Sequence, residues 1–393
     1  MKTVKNFGWI FSLMFLLMMT ACGGGGGSDS GTASGTGELT LSMTDAPTDE
    51  FDSVYVTIDR VEVHLGDVDG DGARDGIADM DGEGDGDHNW ITVVERNEDR
   101  DETFDLLELV NDNLRELGTI ELDNGHYTQM RLYLADPDVD VIGHPYPHYV
   151  VYKNGEVHPL RVPSGKLHLV SGFDLEISGR PVHLVLDFDA AASIVTRGNS
   201  GKEYNLKPVI KVDDIETSAY VSGTVTYDEE GRAVVSAQET DADGTDPRVY
   251  TSTHTTDTEN IDEEYSMFLS EGTYNLVAYK AGYEPECIRQ TVEYGMDYPQ
   301  VNFELSEAAY LGNVTVKVSG ADVGGSATIS FRQLCGGQEI EVDSVNVANN
   351  SEFIFDLNEG FYDVVASSDG KTPITKSNID VLSFSNTILN FNF

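Results

Sequence analysis

The stretch LSEGTYNLVAYKAGYEPE, from Leu269 to Glu286, returns 88 residues later as LNEGFYDVVASSDGKTPI, from Leu357 to Ile374. The offset keeps Gly272 over Gly360, Tyr274 over Tyr362 and Val277 over Val365. Upstream, YVSGTVTY from Tyr220 corresponds to YLGNVTVKV from Tyr310, and downstream VNFEL (Val301 to Leu305) corresponds to LNFNF (Leu389 to Phe393). Two units of this length fit two small β-sandwiches of immunoglobulin-like size. In each, the tyrosine of the Gly-x-Tyr turn would pack on the core while its hydroxyl seeks a partner, which is a structural role.

Working outward, the pattern from Gly37 onward is β. Leu39 to Met43, His168 to Val170 and Val182 to Phe188 alternate or run apolar, with turn residues between them. Between Ser53 and Leu65 the apolar parity flips, Val54, Val56 and Ile58 giving way to Val61, Val63 and Leu65. A bulge near Asp59 and Arg60 would produce that slip. FDLLELVNDNLREL, Phe104 to Leu117, is the one helix-like piece, short and ambiguous. The expectation is an all-β chain of three β-sandwich-like domains after a lipoprotein signal peptide. Its divisions fall at 1–21 for the signal, 22–37 for a tether, 38–217 for a first domain with an acidic insertion at 66–88, and 218–306 and 307–393 for the repeats.

The repeat resembles the carboxypeptidase regulatory-like, or transthyretin-like, sandwich modules. Leu269-Ser-Glu-Gly-Thr-Tyr-Asn-Leu-Val-Ala-Tyr279 with Ala281-Gly-Tyr283 carries the likeness. The second copy departs from it, with Ser367-Ser-Asp-Gly370 where the first has Gly282-Tyr283. Such modules are non-enzymatic accessories in exported proteins, so the likeness bears on fold more than on function. Thr44-Asp-Ala-Pro47, Val54-Tyr-Val-Thr-Ile58, Val61-Glu-Val-His64, Gly125-His-Tyr-Thr-Gln-Met-Arg-Leu132, Val185-Leu-Asp-Phe-Asp-Ala190 and Leu206-Lys-Pro-Val-Ile-Lys-Val212 stand in the order of another family. Over about residues 38–215 the chain resembles the bacterial domain-of-unknown-function 4382 family, found in lipoproteins; it implies no known activity.

Lys2 and Lys5 precede an apolar run, Phe7 to Met19, too short to span a bilayer and proportioned like a signal core. Met19-Thr20-Ala21-Cys22 and five glycines follow. This resembles a bacterial lipoprotein signal, with Met19 where Leu is usual, and implies lipidation at Cys22. An ordinary cleaved signal with a chance cysteine is the alternative. Gly23 after the cysteine implies outer-membrane sorting, on the periplasmic or the cell-surface face. Residues 23–37 read as a flexible tether of roughly 20 Å reach. Cys287 and Cys335 then remain, and in an exported chain they form either a disulfide or two separate buried thiols, since they fall in different repeats.

The chain carries 24 basic and 69 acidic side chains, a net charge of −45. That excludes nucleic acid as a partner and favours cations or basic partners. Acidity concentrates in DVDGDGARDGIADMDGEGDGD, Asp67 to Asp87, which holds nine acidic residues and one basic, Arg74. With Asp67 as position 1, Asp69, Asp71 and Asp75 fall at positions 3, 5 and 9 and Gly72 at 6, the spacing of a calcium loop. Position 12 is Ala78, and Asp79 comes one residue late. A second start follows at Asp81, with Glu83, Asp85 and Asp87. No helix flanks the stretch, which resembles helix-free calcium repeats of the thrombospondin or Asp-Gly kind. Calcium would relieve the mutual repulsion of the carboxylates, and weakly, because the bidentate acid is missing. A solvated acidic loop is the plainer alternative.

Of the remaining candidates, His144 and His148 are the tightest histidine pair, with His158, His168 and His183 further on, but they lack the acidic or cysteine company of a zinc site. Asp187 and Asp189 share one strand face and with Asp45 could form an ion site or a general acid–base pair; tying down turns is the commoner use of such residues. There is no Gly-x-Ser-x-Gly elbow, phosphate loop or His-Glu-x-x-His. The sequence therefore points to a non-enzymatic, calcium-binding envelope lipoprotein, anchored by its N-terminal lipid, with a glycan, matrix component or envelope protein as partner. A hydrolase using Asp45, Asp187 and Asp189 is the alternative.

Overall fold

The computed structural model describes residues 35–46, 51–66, 90–97, 102–111, 113–162, 167–169, 173–197, 203–228, 231–241, 244–256, 262–308, 310–321 and 325–393. They are almost entirely β, and Gly35–Phe393 forms one compact unit. Within it, three hydrophobic cores gather from residues 39–206, 219–305 and 277–391.

The first core lies between two sheets. One carries Ile210–Asp214, Val182–Asp189, Thr36–Ala46 and Arg115–Asp123 in that order, with Thr36–Ala46 parallel to Val182–Asp189. The other is centred on Ser53–Leu65 and Gly125–Leu134. In Ser53–Leu65, Val54, Val56, Ile58, Val61 and Val63 are all buried. They stay on one face because the register to Gly125–Leu134 slips between Ile58 and Arg60, leaving Asp59 as a bulge. Asp59 is then free to accept from Arg96 Nε at 3.1 Å.

The helix-like Phe104–Leu117 stretch is divided. Thr103–Asp105 is a strand, Leu106–Glu108 a single 3-10 turn capped by the Asp105 side chain, and Arg115–Asp123 a strand. Leu106, Leu107 and Leu109 are buried in the first core, so tertiary burial overrides the helical pattern.

Each repeat places its Gly-x-Tyr turn at the same point. Tyr274 and Tyr362 are 1% exposed, and each hydroxyl donates 3.0 Å to the carbonyl four residues back, Ser270 and Asn358. A Cβ on Gly272 would sit 3.1 Å from the Tyr274 ring, so glycine lets the tyrosine fold back over its own turn. The first body repeats the device: Tyr127, fully buried, donates 3.0 Å to the Asp123 carbonyl from Leu122-Asp-Asn-Gly-His-Tyr127.

The three bodies meet pairwise. Cys287 and Cys335 form a disulfide joining the second to the third. Across the same pair of bodies, Gln238, 1% exposed, pairs with a strand as a second backbone would, its Nε2 donating to the Glu341 carbonyl at 2.6 Å and its Oε1 accepting from the Glu341 N–H at 2.9 Å. The third body returns to the first: Thr196 pairs in parallel with Val347, and Asn346 Nδ2 donates to the carbonyls of Ala191 and Ala192 at 2.9 and 3.0 Å. A single hydrogen-bonded path of strands thus runs out of the first body into the third.

Candidate functional site

The seam between the first and second bodies holds the carboxylates singled out by the sequence. Strand register decides what they can do together. Thr44 lies opposite Asp187, Asp45 opposite Phe188 and Ala46 opposite Asp189. Because partners in register point to the same face, Asp187 and Asp189 face the second body while Asp45 follows Leu39, Leu41 and Met43 inward. Asp45 thus leaves the sheet on the face opposite to Asp187 and Asp189, though it borders the same small cavity as Asp187.

Each is used separately. Asp45, 2% exposed, accepts from the Ala190 N–H at 3.0 Å, and its second oxygen has no partner among the described residues. Burial first, then Asp187 and Asp189, push its carboxyl well above the usual range. Asp189 caps the turn Ala190–Ser193, accepting from the Ala192 N–H at 2.7 Å. Burial pushes it up to about 7, the Ala192 bond opposing.

Asp187 is the residue that crosses the seam. It is 6% exposed and accepts from Thr251 Oγ1 of the second body at 2.7 Å. Burial raises it to about 6, while Thr251 and Lys211 pull back. Its other oxygen has no partner among the described residues. Alongside, Asp213 Oδ1 accepts from Tyr250 at 2.9 Å and Ser270 at 3.1 Å, and Lys211 Nζ lies 2.7 Å from Asp213 Oδ2. Asn111, at φ +61°, closes the far end, its Oδ1 accepting from the Ser266 N–H at 2.8 Å. A cavity of about 30 Å³ lies among Asp45, Asn111, Asp187, Asp213, Thr251 and Ser266. Its volume is that of about one water among polar side chains.

Asp189 borders a larger cleft of about 370 Å³ where all three bodies meet, with Glu341, Asp343, Tyr279, Val209 and Asn346. No basic side chain lines it among the described residues. Burial raises the Glu341 carboxyl, and Glu341 in turn raises Asp189.

Asp67, Asp69, Asp71, Asp75, Asp79, Asp81, Glu83, Asp85 and Asp87 lie outside the described residues, as does Cys22. The base of that insertion is described: His64 pairs with Trp90, their rings 4.9 Å apart, and the Arg131 guanidinium stacks 3.6 Å over Trp90. The insertion therefore joins two paired antiparallel strands. The histidines are scattered. His144 Nδ1 meets the Tyr149 hydroxyl at 2.7 Å, and buried His148 lies 3.0 Å from the Ala135 carbonyl. His183 meets Ser42 at 2.8 Å and His158 lies 3.8 Å from Glu156. Among the described residues no three His, Cys, Asp or Glu side chains gather to hold a metal, and no helix is long and apolar enough to cross a membrane.

Residues 36–208 match the family described as "Domain of unknown function (DUF4382)". No curated protein matches the chain. Among solved structures it is similar to the Bacillus anthracis TIE protein at 10% identity and a TM-score of 0.17, over 91% of this chain and 50% of that one. The chain thus spans about half the length of that protein. It is similar also to a streptococcal ancillary pilin at 12% identity and a TM-score of 0.18, over 91% of this chain and 99% of that one. A DUF3823 family protein from Bacteroides ovatus gives 18% identity and a TM-score of 0.16, over 42% of this chain and 98% of that one.

Proposed function

We propose that the protein is a non-enzymatic lipoprotein of the cell envelope, a stiff display unit carried on the Cys22 anchor and the 22–37 tether. The observation that carries this reading is the closure of the seams: a disulfide joins the second body to the third, and the third bonds back to the first. Such a construction holds one surface at a fixed attitude, which suits presentation to a partner. The seam carboxylates most like a catalytic set are divided by strand register, and Asp187 faces a cavity of about 30 Å³.

The displayed feature is the acidic insertion, whose spacing suits weak calcium binding from Asp67 to Asp87. Calcium there would adjust a surface presented to a glycan, a matrix component or an envelope protein. The test is capture of envelope glycans and proteins by the full chain with calcium and with chelator. Calcium-dependent capture without turnover of the captured material is expected. Turnover that survives Asp187→Asn and Asp189→Asn would overturn the non-enzymatic reading, and so would turnover abolished by them.

A further inference from the structure

We infer that the seams between the bodies form a proton-operated latch: Asp187 at the seam of the first and second bodies, and the facing pair Asp189 and Glu341 at the three-way junction, hold the bodies docked while uncharged and loosen them when ionised.

The placement of these three groups carries the inference. Asp187 stands on the first body but is bonded by the second, through Thr251. Asp189 stands on the first body and Glu341 on the third, and both border the junction cleft. Undocking would return each carboxyl to water. A carboxylate confined in such a seam loses hydration and faces other carboxylates, so ionisation favours the separated state.

Neighbouring charges reinforce this. Asp187 faces Asp213 and Lys211 on the adjacent strand and has Asp45 and Asp189 on its own sheet. Lys211, the one cation there among the described residues, is already held 2.7 Å from Asp213 and is also near Glu239. That one positive charge is shared between Asp213 and Asp187, and it offsets only part of the burial of Asp187. Around Glu341, which shares the cleft with Asp343, the only cation among the described residues is Arg332, drawn to Asp246 at 3.2 Å and Glu339 at 3.7 Å. Burial raises Asp187 to about 6 and Asp189 to about 7, and raises Glu341 as well, which sets the working range just below neutrality. The second and third bodies stay linked by Cys287–Cys335, so the motion is a swing of the first body against a bonded pair.

Native-state hydrogen exchange of the full chain between pH 5 and 8, corrected for intrinsic rates, tests the latch. Protection across Arg248–His254 should fall on the order of tenfold over that range from Asp187 alone, and protection across Gln338–Ala348 should fall with ionisation of Asp189 and Glu341. Protection in Ser53–Leu65, inside the first body, should hold steady. Asp187→Asn keeps an oxygen for Thr251 and cannot ionise, so it should flatten the response at Arg248–His254. Glu341→Gln should do the same at Gln338–Ala348. Seam protection that does not change with pH, a uniform change across all strands, or a fall that persists in both variants would overturn the inference.

Discussion

The two seams of the second body are built from different materials. Toward the third body it uses a covalent bond and the backbone-like pairing of Gln238. Toward the first body it uses hydroxyls and carboxylates: Thr251 on Asp187, with Tyr250 and Ser270 on Asp213. The seam toward the third body rests mainly on bonds that do not titrate, the disulfide and the Gln238 pairing, with the Arg332–Asp246 ion pair beside them. The acidic seam depends on protons, because a buried carboxylate with few donors is stable only in its neutral form. The joints of one chain can therefore differ in what loosens them.

The largest expected effect breaks the disulfide seam. Cys287 and Cys335 close a loop of 48 residues, and replacing both with serine should cost about 4 kcal/mol on the loop-entropy account. A guanidinium melt of the double variant checks this, and the loss should be similar at pH 5 and pH 8.

Next comes the acidic seam. Burial raises Asp187 to about 6, so the folded protein holds that proton more tightly than the unfolded chain. The contribution is complete below pH about 4 and is lost as the pH rises through about 6, up to about 3 kcal/mol in all. Asp187→Asn should remove that dependence, read as denaturation midpoints across pH 4 to 8. A smaller effect is expected at Gln238→Ala, which strands the Glu341 N–H and carbonyl in a half-buried seam at about 2 kcal/mol. The smallest is at the corner tyrosines: Tyr127→Phe, Tyr274→Phe and Tyr362→Phe should each lose about 1 kcal/mol with the fold intact. Thermal melts of the three variants would show whether one device contributes alike in all three bodies.

Much of the fold was legible because it is written in local pattern. The parity flip at Asp59 announces a bulge, and Gly-x-Tyr marks the turn in each repeat. The same Leu-x-x-Gly-x-Tyr signal stands at Leu122 to Tyr127, outside the 88-residue repeat, and marks the same turn there. The seams were not legible. That Asn346 reaches Ala191, or that Gln238 pairs with Glu341, depends on contacts spanning more than a hundred residues, which no local period encodes. The carboxylates were half legible: alternation put Asp187 and Asp189 on one face, but only the register with Thr36–Ala46 shows Asp45 turned to the other. The leucines of Phe104–Leu117 misled for a related reason, since their burial comes from the sheets around them.

The central claim is that Gly35–Phe393 is one closed unit, not three bodies on flexible joints. Small-angle X-ray scattering of the soluble chain beginning after Cys22, at pH 5, tests it most directly. A compact body spanning residues 35–393 should give a radius of gyration within a few ångströms of about 21 Å, after allowance for the tether. A radius well above about 30 Å, with the profile of independently moving bodies, would contradict the account.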